Sequence, residues 1–184
     1  MTSILIGLSG KIGSGKTTLA NELAKEGFIK KSFAENLRKV CGILGGFNPE
    51  ESRTADEKNI MIDGWNMTRG AFLQYIGTDV MRREYADVWV MSLMNEITNI
   101  EYVVIDDLRF PNEYDAIKKR GGICIRLSGD PQNVRTTSTR DLTHISETAL
   151  DTYIFDLEIN TNYLTIEQEL TYVRNYITGV IIGD

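Results

Sequence analysis

One short motif constrains the fold of this chain more than any other feature: residues 10–17 have the sequence Gly-Lys-Ile-Gly-Ser-Gly-Lys-Thr. The motif satisfies G-x-x-x-x-G-K-[ST] in full. It follows an apolar run at residues 4–8 and precedes residues with helical spacing, such as Leu19 and Leu23. Glycines let the backbone wrap around phosphate groups with its amides pointing inward at a helix N-terminus. The motif therefore predicts a strand, a phosphate-binding loop and a helix.

This loop predicts a site for a nucleoside triphosphate. We expect Lys16 to bridge the outer phosphates and the Thr17 hydroxyl to help hold Mg²⁺. A Gly-rich turn with an incidental lysine is the alternative. The GTPase patterns Asn-Lys-x-Asp and Asp-x-x-Gly are missing from the chain, so the expected cofactors are ATP and Mg²⁺. The expected nucleotide-binding residues are Gly10, Lys11, Ile12, Gly13, Ser14, Gly15, Lys16, Thr17 and Thr18.

Apolar, strand-like runs alternate with helix-like stretches along the rest of the chain. Such alternation is typical of a parallel sheet with helices on both faces. We therefore expect an α/β fold with a P-loop NTPase-type sheet. The predicted strands are residues 4–9, 28–32, 102–106, 122–127 and 155–159, and the predicted helices include 17–24, a stretch from Pro111 to Gly121-Gly122, and 164–177.

Two carboxylates close the strand predicted at residues 102–106. Asp106 and Asp107 stand at its carboxyl end, and in a parallel sheet this end lies beside the phosphate-binding loop. One carboxylate there can hold the magnesium shell. We predict that Asp106 and Thr17 serve the metal; acidic caps of the following turn are the alternative.

The composition excludes several classes of function. The 184 residues carry 20 Lys or Arg against 26 Asp or Glu, a net charge of −6, and no basic run suits duplex nucleic acid. Cys41 and Cys124 fit no metal-ligand spacing, so we expect two reduced core thiols. No apolar run approaches the ~20 residues of a membrane span. We expect one cytoplasmic domain over residues 1–184 that binds small-molecule nucleotides, without nucleic acid or membrane partners; a homodimer is left open.

The middle of the chain supplies candidates for an acceptor site. We expect a helical, acceptor-binding segment over about residues 35–99, although residues 47–66 have no clear periodicity. On a helix Gln74 and Thr78 share one face, where an amide and a hydroxyl suit a nucleobase. A solvated amphipathic helix is the alternative. Trp89 suits either base stacking or the core.

The stretch at residues 128–146 also lacks periodicity, and connections of this length often form lids. We expect Arg135 or Arg140, rather than Arg126, to approach the transferred phosphoryl group and to help exclude water. Solvated loop arginines are the alternative. For His144, the only histidine, a lid or capping role is expected rather than that of a general base.

At this point the sequence resembles a family, the phage deoxynucleoside monophosphate kinases of the P-loop nucleoside monophosphate kinase superfamily. The matching pieces keep the family's order over most of the chain. They are the loop at residues 10–17, Ser32-Phe33-Ala34, Gln74-Tyr75-Ile76-Gly77-Thr78-Asp79 with Arg82, Trp89, Asp107-Leu108-Arg109-Phe110-Pro111-Asn112-Glu113, and His144-Ile145-Ser146-Glu147.

The resemblance implies ATP-dependent phosphorylation of a deoxynucleoside monophosphate to the diphosphate, in host cytoplasm if the gene is a phage's. It implies acceptor-site roles for Arg69, Gln74, Gly77, Thr78, Trp89, Asp107, Arg109 and Glu113. The expected catalytic residues are Lys16, Asp107, Arg109, Arg135 and Arg140. The alternatives are a P-loop kinase for another small acceptor, such as a sugar acid or a coenzyme precursor, and a non-catalytic nucleotide-binding module.

Overall fold

The computed structural model describes residues 3–137 and 142–182. The strands are β1 (Ile4–Ser9), β2 (Ile29–Lys31), β3 (Met61–Ile62), β4 (Met67–Thr68), β5 (Tyr102–Leu108), β6 (Ile123–Ser128) and β7 (Leu157–Asn160). The helices are α1 (Lys16–Lys25), α2 (Ala34–Gly45), α3 (Ala55–Lys58), α4 (Arg69–Gln74), α5 (Val88–Glu96), α6 (Pro111–Lys119), α7 (Val134–Thr137), α8 (Ile145–Thr148) and α9 (Ile166–Ile182). A 3₁₀ helix spans Pro49–Ser52, and a π-helical stretch spans Tyr75–Arg82.

These elements form two compact units. The sheet unit comprises Met1–Ser32 and Asn99–Asp184, and the helical unit comprises Phe33–Thr98. The helical unit corresponds closely to the segment expected at about residues 35–99. That this segment binds an acceptor stays a prediction.

The sheet unit contains five strands in the order β2-β5-β1-β6-β7, and each neighbouring pair is parallel. The expected α/β fold with a parallel sheet is therefore confirmed. β1 pairs with β5 on one side and with β6 on the other, and the chain passes from β5 across β1 to β6. The strand order therefore reverses at β1, which gives the sheet a switch point at the carboxyl end of that strand. In open α/β sheets ligands bind at such points.

Side-chain alternation along β1 covers both faces of the sheet. Ile6 and Leu8 are fully buried in a cluster with Leu23 of α1 and Val173 of α9. Gly7 points to the opposite face, where an added Cβ would lie 2.5 Å from Cδ1 of Ile117 in α6. Helices thus pack on both faces of the sheet.

The helical unit has its own small core, formed by Cys41, Ile62, Phe72 and Ile76. Thr68 caps α4: its hydroxyl accepts a hydrogen bond from the Ala71 amide at 3.2 Å. Residues 47–66, which had no assignment, contain a 3₁₀ turn, the single turn α3 and the two-residue strand β3. Elements this short leave no periodicity in the sequence.

Both cysteines are free and buried, as expected. Burial raises the pKa of the Cys41 thiol to about 11 and that of the Cys124 thiol to about 12. Neither thiol is therefore nucleophilic at neutral pH. Among residues 3–137 and 142–182, no helix is both long enough and apolar enough to cross a membrane.

Candidate active site

The loop between β1 and α1 has the backbone of a phosphate cradle. Gly13 and Gly15 have φ values of 80° and 87°, a region that residues with side chains rarely adopt. An added Cβ at Gly13 would lie 2.2 Å from Oδ1 of Asp130, so the position also lacks room for a side chain. The loop opens directly into the N-terminus of α1. These residues fit the ATP phosphates that the motif predicts.

The Lys16 ammonium is held inside this loop. It donates hydrogen bonds to the carbonyl oxygens of Gly10 at 2.6 Å and Lys11 at 2.8 Å, and to Oγ of Ser14 at 3.3 Å. The residue is only 8% exposed. Its charge is therefore placed against the cradle backbone, where an anion would gain most from it.

Thr17 and Asp106, the two predicted metal ligands, meet at the edge of the cradle. The Thr17 hydroxyl donates to Oδ2 of Asp106 at 3.5 Å, and Lys30 of β2 pairs with the same oxygen at 3.2 Å. Hydroxyl and carboxylate oxygens are ligands that Mg²⁺ prefers. In the part of the chain that the structure describes, no three His, Cys, Asp or Glu side chains gather to hold a metal. Mg²⁺ usually takes one or two carboxylates and completes its shell with phosphates and water, so the pair Thr17 and Asp106 could hold it.

The end of β5 presents the residues predicted for the acceptor on this unit. The Asp107 carboxylate accepts a hydrogen bond from the Ser32 hydroxyl at 2.8 Å. The Glu113 carboxylate is buried and accepts from the backbone amides of Arg109 at 2.8 Å and Phe110 at 3.1 Å. Glu113 therefore fixes the turn that carries Arg109, while its expected contact with substrate stays a prediction.

The Glu147 carboxylate, for which the sequence predicted no role, lies between Arg109 and the phosphate-binding loop. Glu147 of α8 pairs with Nη1 of Arg109 at 2.5 Å, and its other oxygen accepts from the Ile12 amide of the loop at 3.0 Å. The Arg109 Nη1 also donates to the Ser146 carbonyl at 3.1 Å. In the sequence, Glu147 ends the piece His144-Ile145-Ser146-Glu147 that matches the family, and this piece was the available signal.

Of the two arginines predicted for the lid, Arg135 lies among the described residues; Arg126, which was not expected in that role, can be located as well. The Arg135 Nε donates to the Ile12 carbonyl at 2.9 Å, and its Nη2 bonds the Gly129 carbonyl, so this side chain lies against the loop. Arg126 donates to Oγ of Ser9 at 3.1 Å and pairs with Asp151. Arg140 lies outside the described residues. The contact of Arg135 with the transferred phosphoryl group stays a prediction.

His144 caps a helix, as expected. Its Nδ1 accepts a hydrogen bond from the Ser146 amide at 3.2 Å at the start of α8. Asp151, just beyond the same helix, pairs with Lys11 of the loop at 3.3 Å as well as with Arg126. The chain from His144 to Asp151 therefore places two carboxylates beside the basic groups of the site.

The other predicted acceptor residues lie in the helical unit. Gln74 and Thr78 are exposed at the junction of α4 and the π-helical stretch, a rare geometry often found at functional sites. An added Cβ at Gly77 would lie 2.6 Å from Leu37, and the Gly77 carbonyl accepts from the buried Trp89 indole at 3.1 Å. Trp89 thus supports this stretch from inside the unit.

Arg69 also makes its contacts within the helical unit. Its guanidinium bonds the Glu51 carbonyl at 2.7 Å, lies 3.3 Å from the Glu51 carboxylate and stacks over the Phe47 ring at 5.0 Å. These contacts fasten the chain around the 3₁₀ helix to α4. The acceptor roles expected for Arg69, Gly77 and Trp89 stay predictions.

Comparison with known proteins identifies the family. Residues 6–138, most of the chain, match the AAA_18 family, described as an AAA domain. The chain belongs to this family. The match includes the loop at residues 10–17 and the carboxyl end of β5. It places the chain among P-loop proteins with the fold described above.

One curated relative of this chain comes from Acanthamoeba polyphaga mimivirus and is named "Putative deoxynucleotide monophosphate kinase". The two sequences are 38% identical over an alignment of 166 positions, and the alignment covers 80% of this chain and 82% of the relative. Because 80% of the chain is more than either unit contains, the alignment includes parts of both the sheet unit and the helical unit.

Solved structures agree with the fold. Shikimate kinase from Aquifex aeolicus superimposes with a TM-score of 0.57 at 16% identity, covering 98% of this chain and 100% of that chain. The protein TT1252 from Thermus thermophilus gives a TM-score of 0.55 at 18% identity, covering 95% of this chain and 98% of that chain. At such low identity the likeness establishes the P-loop α/β fold alone.

Proposed function

We propose that this protein is a kinase that transfers the γ-phosphoryl group of ATP to the phosphate of a deoxynucleoside monophosphate, giving ADP and the deoxynucleoside diphosphate. The observation that carries the proposal is the meeting of Thr17 with Asp106 beside the cradle that holds Lys16. The name of the mimivirus relative supports the choice of acceptor. The phage origin suggested by the resemblance stays a prediction.

Each group of the cradle has a role in this proposal. Loop amides and Lys16 bind the donor phosphates, and Thr17 with Asp106 would hold Mg²⁺, which would supply positive charge against those phosphates. Arg109 binds the acceptor phosphate. Arg135 stabilises charge on the transferred group. The transfer is direct and in line, with no covalent intermediate on the enzyme.

The acceptor in this proposal brings its own ionised oxygen, so the reaction needs no general base. From the helical unit, the proposal assigns the exposed Gln74 and Thr78 to the nucleobase, since amide and hydroxyl groups match the donors and acceptors of base edges. Asp107, held by Ser32, then serves to orient groups at the end of β5 rather than to remove a proton.

The decisive experiment measures ADP release from ATP and Mg²⁺ across a panel of ribo- and deoxyribonucleoside monophosphates, extended by a sugar acid and a coenzyme precursor. Lys16→Ala serves as the blank, and Lys25→Ala, which changes an exposed lysine at the end of the same helix, serves as the matched control. We expect ADP release that depends on a deoxynucleotide. ADP release with a sugar acid or a coenzyme precursor and with no nucleotide would show that the chain is a kinase for another acceptor. No ADP release with any acceptor would refute the proposal.

Replacing Arg109 with alanine should weaken use of the acceptor while sparing ATP. We expect kcat/KM for the deoxynucleotide to fall by about 10- to 100-fold, because a guanidinium binds phosphate through paired, charge-assisted hydrogen bonds. Steady-state kinetics at saturating ATP measure this. The control is Arg120→Ala, at an exposed arginine that follows α6. Equal damage to ATP affinity would show that Arg109 does not serve the acceptor.

Asp107→Asn distinguishes the proposed acceptor from a hydroxyl acceptor. Asparagine keeps the shape and can still accept the Ser32 hydrogen bond, but it cannot take a proton. For a phosphate acceptor we expect kcat to fall by less than about 10-fold. For a hydroxyl acceptor the loss of a general base would cost about 100-fold or more. The pH dependence of kcat, compared between wild type and variant, separates the two outcomes.

A further inference from the structure

The Glu147 side chain is fully buried, yet it carries a charge. Taking a carboxylate out of water is unfavourable unless hydrogen bonds and an opposite charge replace the water. Both oxygens of Glu147 have such partners, Nη1 of Arg109 and the Ile12 amide. Buried ion pairs contribute little net stability compared with apolar residues of similar size, so stability alone is a weak explanation for this one.

The way Arg109 is held leaves half of its guanidinium available. Every side-chain hydrogen bond that Arg109 makes to residues 3–137 and 142–182 comes from Nη1, which bonds Glu147 and the Ser146 carbonyl. The edge formed by Nε and Nη2 has no partner among those residues, and 21% of the side chain is exposed. This free edge has the paired donors that match two oxygens of one phosphate.

We propose that Glu147 is a positioning residue for phosphoryl transfer. It fixes Arg109 through Nη1 and so presents the Nε and Nη2 edge to the acceptor phosphate. Through the Ile12 amide, the same carboxylate ties this arginine to the loop that binds the donor phosphates. The inference rests on the function proposed above, and it adds a residue that acts through Arg109 rather than on substrate.

Geometry of this kind matters because catalysis depends on placing reacting groups accurately. An arginine that moves by about 1 Å can lower the rate about 100-fold without any loss of charge. Asp151 offers a contrast within the same segment. It pairs with Lys11 and Arg126 and makes no hydrogen bond or ion pair to Arg109.

The test is a double-mutant cycle between Glu147→Gln and Arg109→Ala in the full chain. Glutamine keeps an oxygen for the Ile12 amide but loses the charge that holds Arg109. We expect kcat/KM for the deoxynucleotide to fall about 10- to 100-fold in Glu147→Gln. Affinity for a non-hydrolysable ATP analogue with Mg²⁺ should stay within about 3-fold. Adding Arg109→Ala to Glu147→Gln should then cost less than about 3-fold more.

The matched control is a double-mutant cycle between Asp151→Asn and Arg109→Ala. In this cycle the fold-changes of the two variants in kcat/KM should multiply. Glu167→Gln, an exposed carboxylate on α9, should leave activity unchanged. If Glu147→Gln and Arg109→Ala multiply as independent changes, or if Glu147→Gln weakens the ATP analogue as much as it weakens the acceptor, the positioning role is wrong while the proposed function stands. If the wild-type protein uses no deoxynucleotide, the positioning role and the proposed function are both wrong.

Discussion

Replacing Lys16 with alanine should lower acceptor-dependent ADP release by about 1,000-fold or more, the largest loss of activity expected from any single change in this chain. The ammonium lies within the cradle at 2.6 Å from the Gly10 carbonyl, so the change removes a positive charge from the place where phosphates bind. A charge that acts in a partly dry site contributes far more than one in water.

Single-turnover and steady-state kinetics measure this loss, and binding of the ATP analogue shows how much of it is lost affinity. Lys25→Ala on the exposed side of α1 is the control and should retain full activity. Thermal unfolding of both variants checks that the fold persists. Acceptor-dependent turnover by Lys16→Ala within about 10-fold of wild type would contradict a P-loop phosphotransfer mechanism.

Replacing Glu169 with glutamine should stabilise the protein above neutral pH. Glu169 lies on α9, is 6% exposed, and burial raises the pKa of its carboxyl from 4.5 to about 7. The folded chain therefore keeps a proton that the unfolded chain releases between these pH values. The part of the free energy of unfolding that depends on this proton is fully present below about pH 4.5 and is lost as the pH rises through about 7.

The expected size of this effect at pH 8 is about 3 kcal/mol, since each pKa unit corresponds to about 1.4 kcal/mol. Urea unfolding of wild type and Glu169→Gln at pH 5, 6, 7 and 8 measures it. The difference in the free energy of unfolding should grow with pH and level off above pH 7. Glu167→Gln, an exposed neighbour on the same helix, should show no such trend. If the two proteins differed in the free energy of unfolding by the same amount at every pH, the raised pKa of Glu169 would be wrong.

The meeting of Thr17 with Asp106 was predictable from sequence although 89 positions separate them. Thr17 belongs to a local motif between a strand and a helix, and Asp106 ends an apolar run typical of a buried strand. Because parallel strands place their carboxyl ends at one edge of the sheet, these two local patterns were enough to predict that the residues lie close together. The same rule placed the end of β5, with Asp107 and Arg109, at that edge.

The partners of the charged residues were not predictable in this way. Glu147 and Ile12 are 135 positions apart, and neither belongs to a pattern that points to the other. For Trp89, composition left the core and base stacking open. The structure shows its indole bonded to the Gly77 carbonyl inside the helical unit. The elements within residues 47–66 have only two to four residues each. They are too short to produce a repeating spacing of apolar residues in the sequence.

By itself the sequence determined the phosphate cradle and the order of strands and helices around it. Backbone conformation at Gly13 and Gly15, side-chain alternation in β1 and the helical spacing of α1 all depend on neighbours within a few residues. Only the tertiary structure decided which charges pair at the mouth of that cradle. Arg109 meets Glu147, and Lys11 meets Asp151, because packing of the sheet brings distant turns to one edge. Long-range pairing of this kind is a property of the packed sheet, and no local pattern encodes it.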